Sequence, residues 1–147
     1  MKKLIFLLSS ILFLSSCAMY PVQLSLYGSS VLNNDKNYHS SPVEIYLFQL
    51  RAPDRFTSAN IFDISHDPKK TLGDDFISKD KVMLSPGMSK VIYFNRKENA
   101  RYLGVMPVLE NPEQSESRAI ADISEIIPLV TKEITVTIVN NRVSMRD

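Results

Sequence analysis

Pro42-Val43-Glu44-Ile45-Tyr46-Leu47-Phe48-Gln49-Leu50 is the stretch on which the fold turns. Side chains alternate across a strand, so Val43, Ile45 and Leu47 share one face, and Tyr46, Phe48 and Leu50 share the other. A strand apolar on both faces belongs in the middle of a sheet or under a second layer. Pro42 stands at its start, where a missing N–H does least harm.

Outward from this segment the pattern stays β-rich. On the N-terminal side, Leu32 to Ser41 reads as a polar, turn-rich loop, and before it Val22, Leu24 and Leu26 alternate as in a half-buried strand. On the C-terminal side, Arg51 to Phe76 breaks the alternation. Phe56, Ala59, Ile61 and Phe62 recur at helical spacing with Ser58 as a candidate N-cap. Asp67-Pro68 to Gly73 reads as one capped turn, with Asp67 as cap, Pro68 at the first helical position and Gly73 as stop.

Strands resume at Val82 to Leu84 and Lys90 to Phe94, around a Ser85-Pro86-Gly87 turn of type II chemistry. They continue at Tyr102 to Leu109, Arg118 to Ile123 and Ile134 to Ile138. Asn140-Asn141 then closes a two-residue hairpin onto Val143 to Met145. This predicts an all-β chain, a β-sandwich of about seven to eight short antiparallel strands with a short helical insertion at about 54–73.

The N-terminus carries a second message. Lys2 and Lys3, an apolar centre from Leu4 to Leu14, and small residues Ser15 and Ser16 have the three parts of a secretory signal. The apolar run is shorter than the ~20 residues of a membrane-spanning helix. Leu14-Ser15-Ser16-Cys17 reads as a lipobox. Residues 1–16 are then a cleaved signal, 17–21 a lipidated short tether, and 22–147 the sandwich. Cys17 is the only cysteine of the 147 residues, so no intramolecular disulfide can form.

Removal of sixteen residues leaves 131, and the loss of Lys2 and Lys3 turns a net charge of +1 into −1. That near-neutral balance argues against nucleic-acid binding and against electrostatic attachment to lipid. Attachment therefore falls to a diacylglycerol and an N-acyl chain on Cys17, since two or three chains hold stably where one does not. Ala18, where inner-membrane lipoproteins often have Asp, favours the inner leaflet of the outer membrane, facing the periplasm.

Catalytic chemistry has little footing. His39 and His66 are far apart and lack partners at metal-ligand spacing. No nucleophile elbow or phosphate-cradling loop occurs, and only four glycines exist to build one. Asp74-Asp75 reads as a solvated pair. The expectation is a protein that is not an enzyme, with no metal, no cofactor beyond its covalent lipid, and no small-molecule substrate. The remaining candidate is the loop Asn33, Asn34, Asp35, Lys36, Asn37, Tyr38, His39. It reads either as a solvated connection or as a contact loop with Tyr38 as anchor.

In this setting the chain resembles the outer-membrane lipoproteins of type VI secretion, the TssJ (SciN/VasD) family. The similarity lies in an ordered set of blocks. Leu32-Asn33 and a polar loop precede Ser41 to Leu50, which ends in Phe-Gln-Leu. Phe56 through Ala59-Asn60-Ile61-Phe62-Asp63-Ile64 and Leu72-Gly73-Asp74-Asp75 follow. Leu84-Ser85-Pro86-Gly87, Ala100-Arg101-Tyr102-Leu103-Gly104-Val105 and Asn141 to Met145 complete the set. Asn34 stands where that family often has Pro, and the Trp often found near Arg118 is missing.

The resemblance implies a transthyretin-like sandwich tethered to the outer membrane. It implies binding to the C-terminal periplasmic domain of TssM, within a TssJ–TssL–TssM complex that links the two membranes. It also assigns part of the TssM contact to the loop Asn33 to His39. The rival reading is a periplasmic ligand-binding or chaperone-like lipoprotein, which a deep apolar pocket would favour.

Overall fold

A computed structural model describes residues 19–35, 37, 39–110 and 117–147. Two four-stranded sheets face each other. The first has the order β4-β1-β7-β8 and the second β3-β2-β5-β6, with β1 at Pro21–Leu32, β2 at Val43–Leu50, β3 at Phe76–Leu84 and β4 at Ser89–Asn95. The others are β5 at Tyr102–Val108, β6 at Ala119–Asp122, β7 at Lys132–Asn140 and β8 at Arg142–Arg146. The sandwich expected from the alternation is therefore the fold of the chain. One pairing departs from the antiparallel rule: β1 and β7 run parallel, Leu24 opposite Ile134 and Leu26 opposite Val136. The five strands between them serve as the long crossover that a parallel pair requires.

β2 occupies the interior position its composition demands, paired with β3 on one side and β5 on the other. Val43, Ile45 and Leu47 face the first sheet and join Val22, Leu24, Leu26, Ile134, Val136 and Ile138 in the inter-sheet core. Phe48 and Leu50 face outward and are covered by the segment between β2 and β3.

That segment folds as α1 (Asp54–Ser58), α2 (Ile61–His66), α3 (Pro68–Leu72) and a 3-10 turn at Gly73–Asp75. Phe56, Ile61, Ile64 and Leu72 form a second core with Phe48, Leu50 and Met106. Asp67, Pro68 and Gly73 take their expected roles: Asp67 accepts from the Lys70 N–H at 3.1 Å, and Gly73 has φ 54°.

The expectation for Ser58 and Phe62 is corrected. The 56–62 spacing spans two helices instead of one, because Ala59 is extended (ψ 157°). Asn60 caps the restart by accepting from the Phe62 N–H at 2.8 Å, while Ser58 donates back to the Asp54 carbonyl. Phe62 thereby points to solvent, 71% exposed. Among the described residues no helix is long and apolar enough to cross a membrane.

Strand directions give the sandwich two unlike poles. One holds the start of β1, the helical insertion, and the β4–β5 and β6–β7 connections. The other holds the β1–β2, β3–β4 and β5–β6 loops and the β7–β8 turn.

Candidate functional site

The loop after β1 is built on two residues. Asn33, in the left-handed region at φ 50°, is only 5% exposed. Asparagine tolerates this backbone because its short amide can bond locally, and here both ends of the amide are bonded. Its Nδ2 donates to Ser41 Oγ at 2.9 Å, and its Oδ1 accepts from the Glu110 N–H at 2.9 Å. Its own N–H donates to the Asn140 carbonyl at 3.3 Å, and the Ser41 N–H donates to the Leu32 carbonyl at 3.1 Å. One side chain thus ties together the loop's two ends and the start of the β5–β6 loop, while its backbone reaches the β7–β8 turn. Asn33 supports the pole from within and does not face outward.

Asp35 organises the tip. Its Oδ1 accepts from the Asn37 N–H at 2.7 Å and the His39 N–H at 2.9 Å, and its Oδ2 lies 3.3 Å from His39 Nδ1. The Asp35 N–H closes the turn onto the His39 carbonyl at 3.2 Å. A carboxylate accepting backbone N–H groups is stabilised in its charged form. The His39 N–H foremost, with help from that of Asn37, holds the Asp35 carboxyl below its ordinary value. Asn34 accepts from the Ser40 hydroxyl at 2.9 Å, and that hydroxyl also reaches the Ser30 carbonyl at 3.0 Å. Asn37 and His39 are exposed.

Of the seven predicted contact residues, then, Asn34, Asp35, Asn37 and His39 form a preformed polar tip with Asn33 beneath it. Lys36 and Tyr38 lie outside the described residues, as do Cys17 and Ala18.

The β3–β4 turn braces the same pole. Met88 N–H donates to the Ser85 carbonyl, Gly87 N–H to that of Ser29 and Gly28 N–H to that of Met88, at 3.1, 2.9 and 3.0 Å. Gly87, at φ 72°, supplies the conformation the Pro-Gly turn needs.

On the flank of the second sheet, Arg118 fastens the helical insertion to β6. Its Nη1 donates to the carbonyls of Phe56 and of Ala59, the latter at 2.9 Å. Burial lowers its guanidinium from the ordinary value, yet an arginine stays charged. Sequence reading passed over Arg118, because an arginine aimed at helix-end carbonyls leaves no local pattern.

A cleft of about 380 Å³ on the outer face of β7 and β8 is lined by Thr135, Thr137, Ser144, Met145 and Arg146. A second, of about 310 Å³, opens between the edges of β3 and β4, where Leu47, Ile92, Phe94 and Leu103 meet Gln49 and Asp80. It stands at the small end for ligand sites. Its one buried amide is already engaged, Gln49 donating to the Asn95 carbonyl at 3.2 Å and accepting from the Lys97 N–H at 2.7 Å. Among the described residues no group of three or more His, Cys, Asp or Glu is placed to hold a metal ion.

Fold and site together define a class: a small two-sheet sandwich that presents hydrogen-bonded loops at one pole and a helical cap on one flank. The family model described as "Type VI secretion lipoprotein, VasD, EvfM, TssJ" matches residues 20–141, and the chain belongs to that family. Solved structures agree in fold. The type VI secretion lipoprotein TssJ1 of Pseudomonas aeruginosa superposes with a TM-score of 0.78 at 21% identity, over 87% of this chain and 95% of that one. Lip of Serratia marcescens, a membrane-bound component of its type VI secretion system, gives 0.77 at 19% identity over 86% and 97%. A chain in the structure described as the TssM C-terminal domain (869–1107) from EAEC gives 0.67 at 21% identity over 86% and 98%. No curated protein sequence matches the chain.

Proposed function

We propose that this lipoprotein is a non-enzymatic anchor of the type VI secretion membrane complex. Cys17, carrying a diacylglycerol and an N-acyl chain, holds it in the inner leaflet of the outer membrane, facing the periplasm. Asn34 to His39 dock the periplasmic C-terminal domain of TssM, in a complex that also holds TssL, so that the inner and outer membranes are linked.

The observation that carries this reading is the polarity of β1. The strand begins four positions after Cys17 and runs for twelve residues to the Asn33–His39 loop. Twelve residues at ~3.3 Å each put roughly 40 Å between the two ends. Anchor and contact loop therefore belong to opposite poles, as a membrane-to-membrane connector needs. Asn34, Asp35, Asn37 and His39 are also tied by hydrogen bonds within the loop, which lowers the ordering cost of docking.

A further support is one of size. The matched chain in the TssM structure is about 130 residues long, judged from the 86% and 98% coverages, whereas 869–1107 spans 239 residues. The matching body is thus the size of one such sandwich and not of the whole TssM fragment.

The test pairs two changes. Cys17→Ser should release the protein from outer-membrane fractions; continued sedimentation with that membrane would sink the anchor. Deletion of residues 34–38 leaves Asn33 and its bonds in place, and should abolish pull-down of a TssM periplasmic fragment without altering the circular dichroism. Undiminished pull-down would place the contact elsewhere.

A further inference from the structure

The β6–β7 connection, at the pole where the chain enters β1, carries five consecutive apolar residues, Ile126-Ile127-Pro128-Leu129-Val130. Its base is pinned. Ile123 and Ile126 are buried in the inter-sheet core, and Asp122 Oδ1 accepts the N–H and hydroxyl of Ser124 at 2.7 and 2.5 Å. Beyond that base the side chains turn outward: Ile127, Leu129 and Val130 are 65%, 79% and 54% exposed. The Val130 N–H donates to the Ile127 carbonyl at 3.1 Å, closing a tight turn. Leu129 adopts φ 65° within it, a conformation leucine rarely takes.

This tip is joined to the N-terminal segment. The Leu129 N–H donates to the Met19 carbonyl at 3.0 Å, and Met19 is itself 53% exposed. Met19 is two positions along from Cys17, which at ~3.6 Å per residue is about 7 Å of chain. Single exposed apolar side chains are ordinary, but a contiguous group marks a surface that something covers. Acyl chains on Cys17 would start within that short length of chain from this group, so the surface within reach is the lipid layer that would hold them.

We infer that Ile127, Leu129 and Val130 form an apolar tip that inserts into the lipid layer carrying the Cys17 anchor. The inference rests on the reading of Cys17 as the acylated residue. An acyl anchor alone is a swivel. An inserted tip beside it gives the sandwich a second point of attachment and fixes its tilt, with the Asn33–His39 pole directed away from the membrane.

The chain contains no tryptophan, so Leu129→Trp supplies a single indole at the tip. The full-length variant, purified from membranes, is reconstituted into phosphatidylethanolamine–phosphatidylglycerol vesicles with and without bromine high on the acyl chains. A side chain held roughly 5–10 Å into the headgroup and acyl boundary should emit to the blue and lose about half or more of its intensity to bromine. Val139→Trp, at the opposite pole, should show neither effect. Val130→Trp is the second probe should Leu129→Trp not fold.

Flotation with the vesicles reads the anchor independently. Protein that floats with an unquenched tip indole would overturn the insertion while leaving the Cys17 reading intact. Equal quenching at both poles would also overturn it. Protein that does not float would overturn the anchor and the insertion together.

Discussion

Asn33→Ala removes three contributions that the structure lets one weigh separately. The first is the acceptor for the Glu110 N–H, 2.9 Å away in a partly buried setting. A buried donor left without a partner costs ~1–3 kcal/mol. The second is the 2.9 Å bond to Ser41, a neutral pair worth ~1 kcal/mol. The third is the backbone: at φ 50° an alanine pays ~1 kcal/mol that asparagine largely avoids. The expected loss is about 3–5 kcal/mol, a sizeable part of the ~5–15 kcal/mol typical of a whole domain.

Asn33→Gly separates the terms, since glycine adopts this φ freely. It should lose the two bonds and keep the backbone, recovering ~1 kcal/mol relative to alanine. Urea unfolding followed by circular dichroism reads both. With a slope of ~2 kcal/mol/M, the alanine midpoint should fall by roughly 1.5–2.5 M and the glycine midpoint by about 0.5 M less. Amide exchange at Glu110 should quicken in both variants. An alanine midpoint within ~0.3 M of the parent, or a glycine variant weaker than the alanine one, would refute the account of Asn33 as the clamp of this pole.

Gly104 tests the second core. A Cβ there would lie 2.8 Å from Phe56 Cζ and 2.9 Å from Cε1, so Gly104→Ala should cost ~1–3 kcal/mol by overpacking. In a Phe56→Leu background that cost should shrink, which thermal denaturation of the four-member cycle would measure; strict additivity would count against the contact. Asp35 supplies a pH prediction. Its folded carboxyl sits below the ordinary value of 3.8, chiefly because it accepts the His39 N–H. Its support for the loop is therefore complete above that value and disappears as pH falls through the lower, folded one. The Asn37 and His39 amide shifts should follow that transition in an NMR titration and lose it in Asp35→Asn; a midpoint at or above 3.8 would contradict the bonding described.

Two-sided hydrophobicity made β2 readable, because a strand with Leu47 facing one layer and Phe48 the other has few places to be. β3 was readable only at its end. Its middle, Ser78-Lys79-Asp80-Lys81, has the composition of a loop, yet it pairs with Gln49 to Tyr46 across the sheet. It is an edge strand, where charge guards an open hydrogen-bonding row and hides the alternation. Lys79 Nζ lies 3.5 Å from the centre of the Tyr46 ring, and Lys81 pairs with Glu44 at 3.1 Å. These are cross-strand contacts that no window within one strand contains.

The same limit explains the site. The polar composition of Asn33 to His39 marked a loop, and its family likeness marked a contact. That Asn33 faces inward depends on Glu110 and Asn140, which only the fold brings near.

The two tips also lie at opposite ends of the long axis in a way sequence order conceals. The polar tip follows β1 and the apolar tip precedes β7, about ninety residues apart in the chain. Because β1 and β7 are adjacent and parallel, however, the start of one strand lies beside the start of the other. Any tip on the β6–β7 connection must then share a pole with the start of β1, while the loop that leaves β1 must share a pole with the β7–β8 turn. Had the pair been antiparallel, the apolar tip would stand beside the Asn33–His39 loop and far from the start of β1. Among the described residues, the parallel pairing of β1 with β7 is thus what sorts the proposed membrane end from the proposed partner end.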